Sequence, residues 1–216
     1  LVHEVIVMGR VSDARERLLK AANELTWKQG YNAVTVDAIC EAAGVKKGSF
    51  YHYFESKAEL TKEAIEAWWQ ARSRPIIEAS FAEGVPPLER LKRYFEAMYE
   101  SQLKIKREGG TLLGCAFFRL AIEGEGVEPE VREAARHALS RKRKYFVQAI
   151  DDAKREGLVR VDDVEAATQA VYSLFEGALA RARIQDSPEP LKGIYEQVLR
   201  LLDAAPAVRE PEKRRA

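Results

Sequence analysis

The sequence predicts an all-α chain: an N-terminal three-helix domain with a helix-turn-helix, then a larger α-helical domain, about nine helices in total. Three observations carry that reading. Apolar residues recur at three- and four-residue spacing along most of the chain, and no sustained strand-like alternation is present. Capping residues and glycines stand where those stripes begin and end. The first three stripes are short and closely spaced, and the later ones are longer.

Each element follows from its own residues. Asp13 with Glu16 predicts a capping box that opens the first helix. Leu18, Ala21, Ala22 and Leu25 form its inner stripe, and Gly30 closes it. Thr35 predicts the cap of a second helix, with Asp37 near its positive end. Val36, Ile39, Cys40 and Ala43 face inward there, and Gly44 stops the helix. A third, short helix runs from about Lys47 to Phe54. Ser56 and Glu59 read as another capping box, opening a fourth helix to about Arg74, with Pro75 ending the pattern. A long helix from Leu88 to about Arg107 follows Pro86 and Pro87, and Gly109 and Gly110 break it. Leu112 to Glu123 reads as a compact apolar helix, and Glu130 to Glu156 as the next. The last two cover about Val164 to Ile184 and Pro188 to Leu202, with Ser187 as cap and Pro188 in the first helical position. The expected division is 10–57 for the helix-turn-helix domain, 58–204 for the second domain and 205–216 for a frayed tail.

Composition excludes several classes. Lys+Arg 35 against Asp+Glu 34 gives +1, so bulk charge names no partner and a nucleic-acid footprint must be local. No stretch approaches the ~20 apolar residues of a membrane span, so no membrane partner is expected. Two cysteines make no disulfide framework and no C-x-x-C pair, which suits a reducing cytoplasm. His3, His52 and His137 lie too far apart in sequence to suggest zinc, so neither metal nor cofactor is expected. Leu1 to Val7 lacks the basic start of a signal peptide, and Met8 is a candidate start. No G-x-x-x-x-G-K-[ST], G-x-S-x-G or H-E-x-x-H occurs, so no enzyme is expected. Gly109 to Gly114 lacks the lysine of a phosphate loop and reads as a helix break.

The informative segment is Thr35 to Lys57, TVDAICEAAGVKKGSFYHYFESK. A capped helix ends at Gly44, and a second begins about two residues later, which makes a helix-turn-helix. Phe50 and Phe54 are i,i+4 neighbours facing the core. Gly48, Ser49 and His52 point away, Tyr51 and Tyr53 flank that face, and Lys46 and Lys47 stand at its start. A recognition helix entering the major groove N-terminus first needs such a small, basic, aromatic surface. A plain three-helix bundle with surface lysines is the competing reading, but packing alone does not require Lys-Gly-Ser followed by Tyr-His-Tyr.

These residues resemble the DNA-binding domain of the TetR family of bacterial transcriptional regulators. The shared features are Gly30-Tyr31, Thr35-Val36, Ile39, Ala42-Ala43-Gly44-Val45, Lys47-Gly48-Ser49, Tyr51-His52-Tyr53-Phe54 and Ser56-Lys57. The resemblance implies DNA contacts at Thr35, Lys46, Lys47, Gly48, Ser49, Tyr51, His52, Tyr53 and Lys57. Two departures stand out: Thr26 where Phe is common, and Lys46 where Ser is common. The resemblance further implies a homodimer formed by the last two helices on a palindromic double-stranded operator, and a small-molecule effector held by the second domain. It implies a regulator, most often a repressor that the effector releases.

Candidate interface stripes are Val164, Ala167, Val171, Leu174, Phe175, Ala178 and Ala182, and Leu191, Ile194, Tyr195, Val198, Leu201 and Leu202. Both also suit a protomer core. Candidate effector contacts are Trp68, Phe95, Met98, Tyr99, Cys115, Phe118, Phe146 and Phe175, with Trp69, Phe117 and Tyr172 among the other large side chains of that region. Plain core is the alternative for each. Cys115 sits in GCAFFRLAIE, which resembles a Gly-Cys motif of part of the family, where such a cysteine senses electrophiles; redox sensing through Cys115 is the alternative function. Arg119, one turn on, lowers its thiol pKa where the two side chains meet. The run Arg141 to Lys144 reads as a solvated face or as a dock for an acyl-CoA-like effector. A helical-bundle carrier or enzyme with a vestigial DNA-binding domain is the reading from another class.

Overall fold

The computed structural model describes residues 2–205, with side chains from Asp13 onward, and every element among them is helical. Helices α1 (Val2–Gln29), α2 (Val36–Ala43), α3 (Lys47–Tyr53) and α4 (Lys57–Trp68) come first. A π turn at Trp69–Ser73 then leads into α5 (Arg74–Ser80). There follow α6 (Pro87–Arg107), α7 (Ala116–Ile122), α8 (Pro129–Arg155), α9 (Val164–Gln185) and α10 (Ile194–Leu201), with a 3-10 turn at Glu189–Leu191 before the last. Because α4, the π turn and α5 form one unbroken run, the described residues make nine helices, the number expected. None of them is long and apolar enough to cross a membrane.

The chain divides into two units, residues up to Ser73 with Ala116–Leu139, and Arg74–Cys115 with residues from Ser140 onward. In the first, Leu18, Ala22, Ile39, Phe50, Phe54 and Leu60 form a core from α1 to α4. Truncating a buried ring such as Phe50 to Ala costs about 3–5 kcal/mol. Asn23 on α1 donates to the Ala64 carbonyl on α4 at 2.7 Å, and Arg15 pairs with Glu63 between the same helices. In the second unit, Leu91, Phe95, Phe146 and Phe175 are fully buried. Arg90 on α6 bonds Asp152 on α8 at 2.7 Å.

The caps at Thr35 and Ser56 form as expected. Thr35 Oγ1 accepts from the Ala38 N–H at 3.1 Å, and Ser56 Oγ from the Glu59 N–H at 3.0 Å. Glu59 reaches back one residue further than a simple capping box, taking the Glu55 N–H at 2.6 Å.

Asp13 caps nothing: α1 is already helical from Val2, and Asp13 pairs with Arg17 one turn on at 3.3 Å. A cap requires a break before it, and none precedes Asp13. Pro75 does not end the fourth helix, because the π turn just before it absorbs the bond that proline cannot donate. Residues 112–115 are not helical. Gly114 is left-handed at φ +72, and the Leu112 N–H goes to the Asp186 carboxylate at 2.9 Å. The final helix is split at Gly193, also left-handed at φ +70, so Pro188 starts only a 3-10 turn. The frayed tail lies outside the described residues, apart from Ala205.

Candidate functional site

The helix-turn-helix is built from α2, the three residues Gly44 to Lys46, and α3. Gly44 takes φ +61, the left-handed conformation that ends α2, and its N–H bonds the Cys40 and Glu41 carbonyls. Arg17 from α1 donates to the Ala43 carbonyl at 2.9 Å, placing a cation at the negative end of α2. Phe50 and Phe54 fix α3 against the core, with ring centroids 5.9 Å apart. That packing turns the other face outward.

Thr35, Lys46, Lys47, Gly48, Tyr51 and His52 are exposed, whereas Ser49, Tyr53 and Lys57 are half-buried. Tyr51 is 56% exposed, unusual for a ring on a folded surface. Tyr53 instead packs on the core, and the His52 ring leans against it at 4.9 Å. Lys47 pairs with Asp37 at 2.7 Å, and that hydrogen bond raises the pKa of its ammonium. A Cβ at Gly48 would find no atom of the chain within 4 Å. Nothing inside the protein therefore calls for glycine there.

Lys57 is turned inward more than a phosphate ligand would be. Its Nζ donates to the carbonyls of Tyr31 (3.1 Å) and Val34 (3.0 Å), and lies 3.8 Å from the Tyr31 ring centroid. Burial lowers its pKa, opposed by Glu128 and Glu123. The same loop is held from α7. Glu123, one residue past α7, accepts the backbone N–H groups of Tyr31 and Asn32, each at 3.0 Å, and Asn32 Nδ2 donates to the Glu125 carbonyl at 2.8 Å. Arg119 belongs to this cluster, its Nη2 lying 2.8 Å from where a Gly30 Cβ would be, with the Glu123 carboxylate beside it. Trp68 packs edge-on to Trp27 at 4.9 Å, and Phe117 lies against Trp69, all within the first unit. Phe118 is half-buried in that unit as well.

In the second unit the structure brings together Phe95, Phe146 and Phe175, at 5.8 Å and 5.3 Å between centroids. Met98, Tyr99 and Cys115 are half-buried. Tyr94 and Tyr172 complete the aromatic group, at 5.1 Å and 5.6 Å from Phe146. Among them lies an ion pair that sequence reasoning missed. Lys142 Nζ bonds Glu176 Oε1 at 3.0 Å, with side chains 7% and 3% exposed. Burial alone would lower the lysine pKa; the Glu176 charge, with Tyr94, Cys115 and Tyr172, overrides it, and the pKa lies well above its ordinary value. Burial pushes the Tyr94 hydroxyl up to about 12. Removing one member of a buried pair costs about 3–5 kcal/mol. Lys142 was hidden in the Arg141 to Lys144 run. The available signal was Glu176, a lone carboxylate directly after Phe175 in an apolar stretch.

Of the two stripes assigned to an interface, Val171, Phe175, Ala178, Ala182, Leu191, Ile194, Val198 and Leu202 are buried within the single chain. Val164, Ala167, Leu174 and Tyr195 of the same stripes are half-buried and Leu201 is exposed; the open face of α9 carries Ala166, Ala170, Ser173, Gly177, Arg181 and Ile184, the last 82% exposed.

Two sequence profiles match this chain. One, described as bacterial regulatory proteins of the tetR family, covers residues 18–64, and one described as a tetracyclin repressor-like C-terminal domain covers residues 87–198. The transcriptional regulator AcuR of Cereibacter sphaeroides is 33% identical over 179 residues, 82% of this chain and 80% of that one. The crystal structure of a regulatory protein TetR from Rhodobacter sphaeroides superposes with a TM-score of 0.76 at 31% identity, covering 87% of this chain and 98% of that one. The reduced form of Escherichia coli NemR has a TM-score of 0.74 at 25% identity, over 90% and 99% of the two chains.

Proposed function

Since the chain belongs to the TetR family of bacterial regulatory proteins and is a DNA-binding transcriptional regulator, we propose that it is a homodimeric repressor released from a palindromic operator by a small molecule. One observation carries the DNA-reading part. The outer face of α3 presents Lys46, Lys47, Gly48, Tyr51 and His52 to solvent while Phe50 and Phe54 anchor it. In this reading the lysines and Thr35 meet phosphates, and Ser49, Tyr51 and His52 reach base edges or phosphates. Two copies read half-sites about 34–36 Å apart. The open face of α9 supports pairing through the last two helices, because Gly177 and Ala170 allow close approach and Ile184 is apolar.

Release requires that the effector prefer one state of the protein. The grip of Glu123 on the Tyr31–Asn32 backbone supports α7 as the element that passes the change to the reading helices. An apolar effector fits better than an acyl-CoA. In the basic run, Lys142 is paired inward with Glu176 and Arg143 with Glu165. A second reading, sensing through Cys115, is favoured by that residue being a free cysteine that is only half-buried. Cys115→Ser then keeps duplex binding and loses peroxide-induced release; an unchanged response eliminates it.

The main test is selection of duplexes from a random pool by the full chain at two salt concentrations. A palindrome recovered at low salt and lost at high salt is the expected result. No enrichment at either salt defeats the proposal.

A further inference from the structure

We propose that the Lys142–Glu176 pair is the polar end of the effector site, and that it receives an uncharged, ring-sized molecule whose hydroxyl donates to Glu176 Oε2. The inference rests on the reading of the chain as an effector-responsive regulator and specifies the effector's chemistry.

Glu176 is 3% exposed, and its two oxygens are treated unequally. Oε1 accepts from Lys142 at 3.0 Å, whereas Oε2 is buried with no hydrogen-bond partner. A buried acceptor left unmade is costly and rare, so this atom calls for a donor that the chain does not supply.

The charge of that donor follows from the pair. Lys142 and Glu176 sum to zero. An anion would bring unbalanced charge beside Glu176, and a cation would do so beside Lys142; both are heavily penalised where water is absent. A hydroxyl donates one hydrogen bond and adds no net charge. Its body must be apolar, because the side chains around the pair are aromatic. The Lys142 ammonium lies 5.1 Å from the Tyr172 ring and 5.5 Å from the Phe175 ring. Phe95 and Phe146 close the group, both essentially fully buried. A flat apolar ring with one hydroxyl matches both parts.

The experiment titrates the full-length protein calorimetrically with phenol, benzoate, benzylamine and toluene. Phenol is expected to bind at least tenfold more tightly than each of the others. The Lys142→Met/Glu176→Leu double variant removes both charges together, a replacement that buried pairs generally tolerate. In it, phenol is expected to bind no better than toluene. Phenol that is no better than toluene in the unaltered protein overturns the proposal and leaves Oε2 to a buried water. Benzoate binding tightest, a phenol preference that survives in the double variant, or no binding of any of the four overturns it as well. Duplex binding, followed separately by fluorescence anisotropy, keeps the two readings apart. A pair-dependent phenol preference without duplex binding would sink the repressor and keep the site. Duplex binding without that preference would do the reverse.

Discussion

Gly48 has no side chain on the outer face of α3, and no atom of the chain lies near enough to demand that. Gly48→Ala is therefore expected to leave the fold intact, or raise its stability by up to about 1 kcal/mol through helix propensity. It should weaken operator binding at least tenfold. Thermal melts and anisotropy titrations measure the two effects, and equal affinity would place the helix too far from DNA for a methyl group to matter. Lys47 differs, because Asp37 already holds its ammonium. Lys47→Ala is expected to weaken all duplexes nearly alike and to reduce the salt slope by about 1; an unchanged slope removes its phosphate role. These outward residues were legible in sequence because Phe50 and Phe54 fix which face is buried. Lys142 was not, since its inward direction is set by Glu176, 34 positions along, and by rings from three helices.

Helix starts at Thr35 and Ser56 were readable because the capping oxygen and the N–H it serves lie three residues apart. Several helix ends were not, because distant groups decide them. Asp186 takes the Leu112 N–H and binds Lys106 at 2.7 Å, across 74 and 80 positions. These bonds, Lys106 first, hold its carboxyl below the ordinary 3.8. A depressed carboxylate stabilises the fold above its unfolded pKa, and the contribution vanishes as pH falls through the folded value. Asp186→Asn should thus lower stability at pH 7 and lessen its fall between pH 5 and pH 2, read from urea melts across that range. Glu123 is likewise long-range, reaching back 92 and 91 positions to Tyr31 and Asn32. Glu123→Ala is expected to retain operator binding while blunting effector-induced release at least fivefold. The check is a release titration with phenol, and full release would move the coupling to another element.

At the scale of the whole molecule, the helix order was legible and the use of the last helices was only half so. Periodicity finds the apolar stripe of α9, but most of that stripe fills the chain's own interior, leaving small residues, Arg181 and Ile184 outside. Ile184→Lys is expected to give a monomer by sedimentation and to lower palindrome affinity by roughly 10²–10⁴, the loss of a linked second head. A dimer that persists would move the interface elsewhere. The π turn at Trp69–Ser73 bears on how this chain tolerates changes in length. Such a turn holds one residue more than an α turn, and each helical residue is worth about 100° of rotation. Deleting a single residue there would restore an ordinary ladder and leave Ile77, 1% exposed, on its inner face, whereas the same deletion within α5 before it would swing it toward water. The segment should therefore accept one missing residue more readily than the helical stretches on either side, which makes it the slack in an otherwise rigid run.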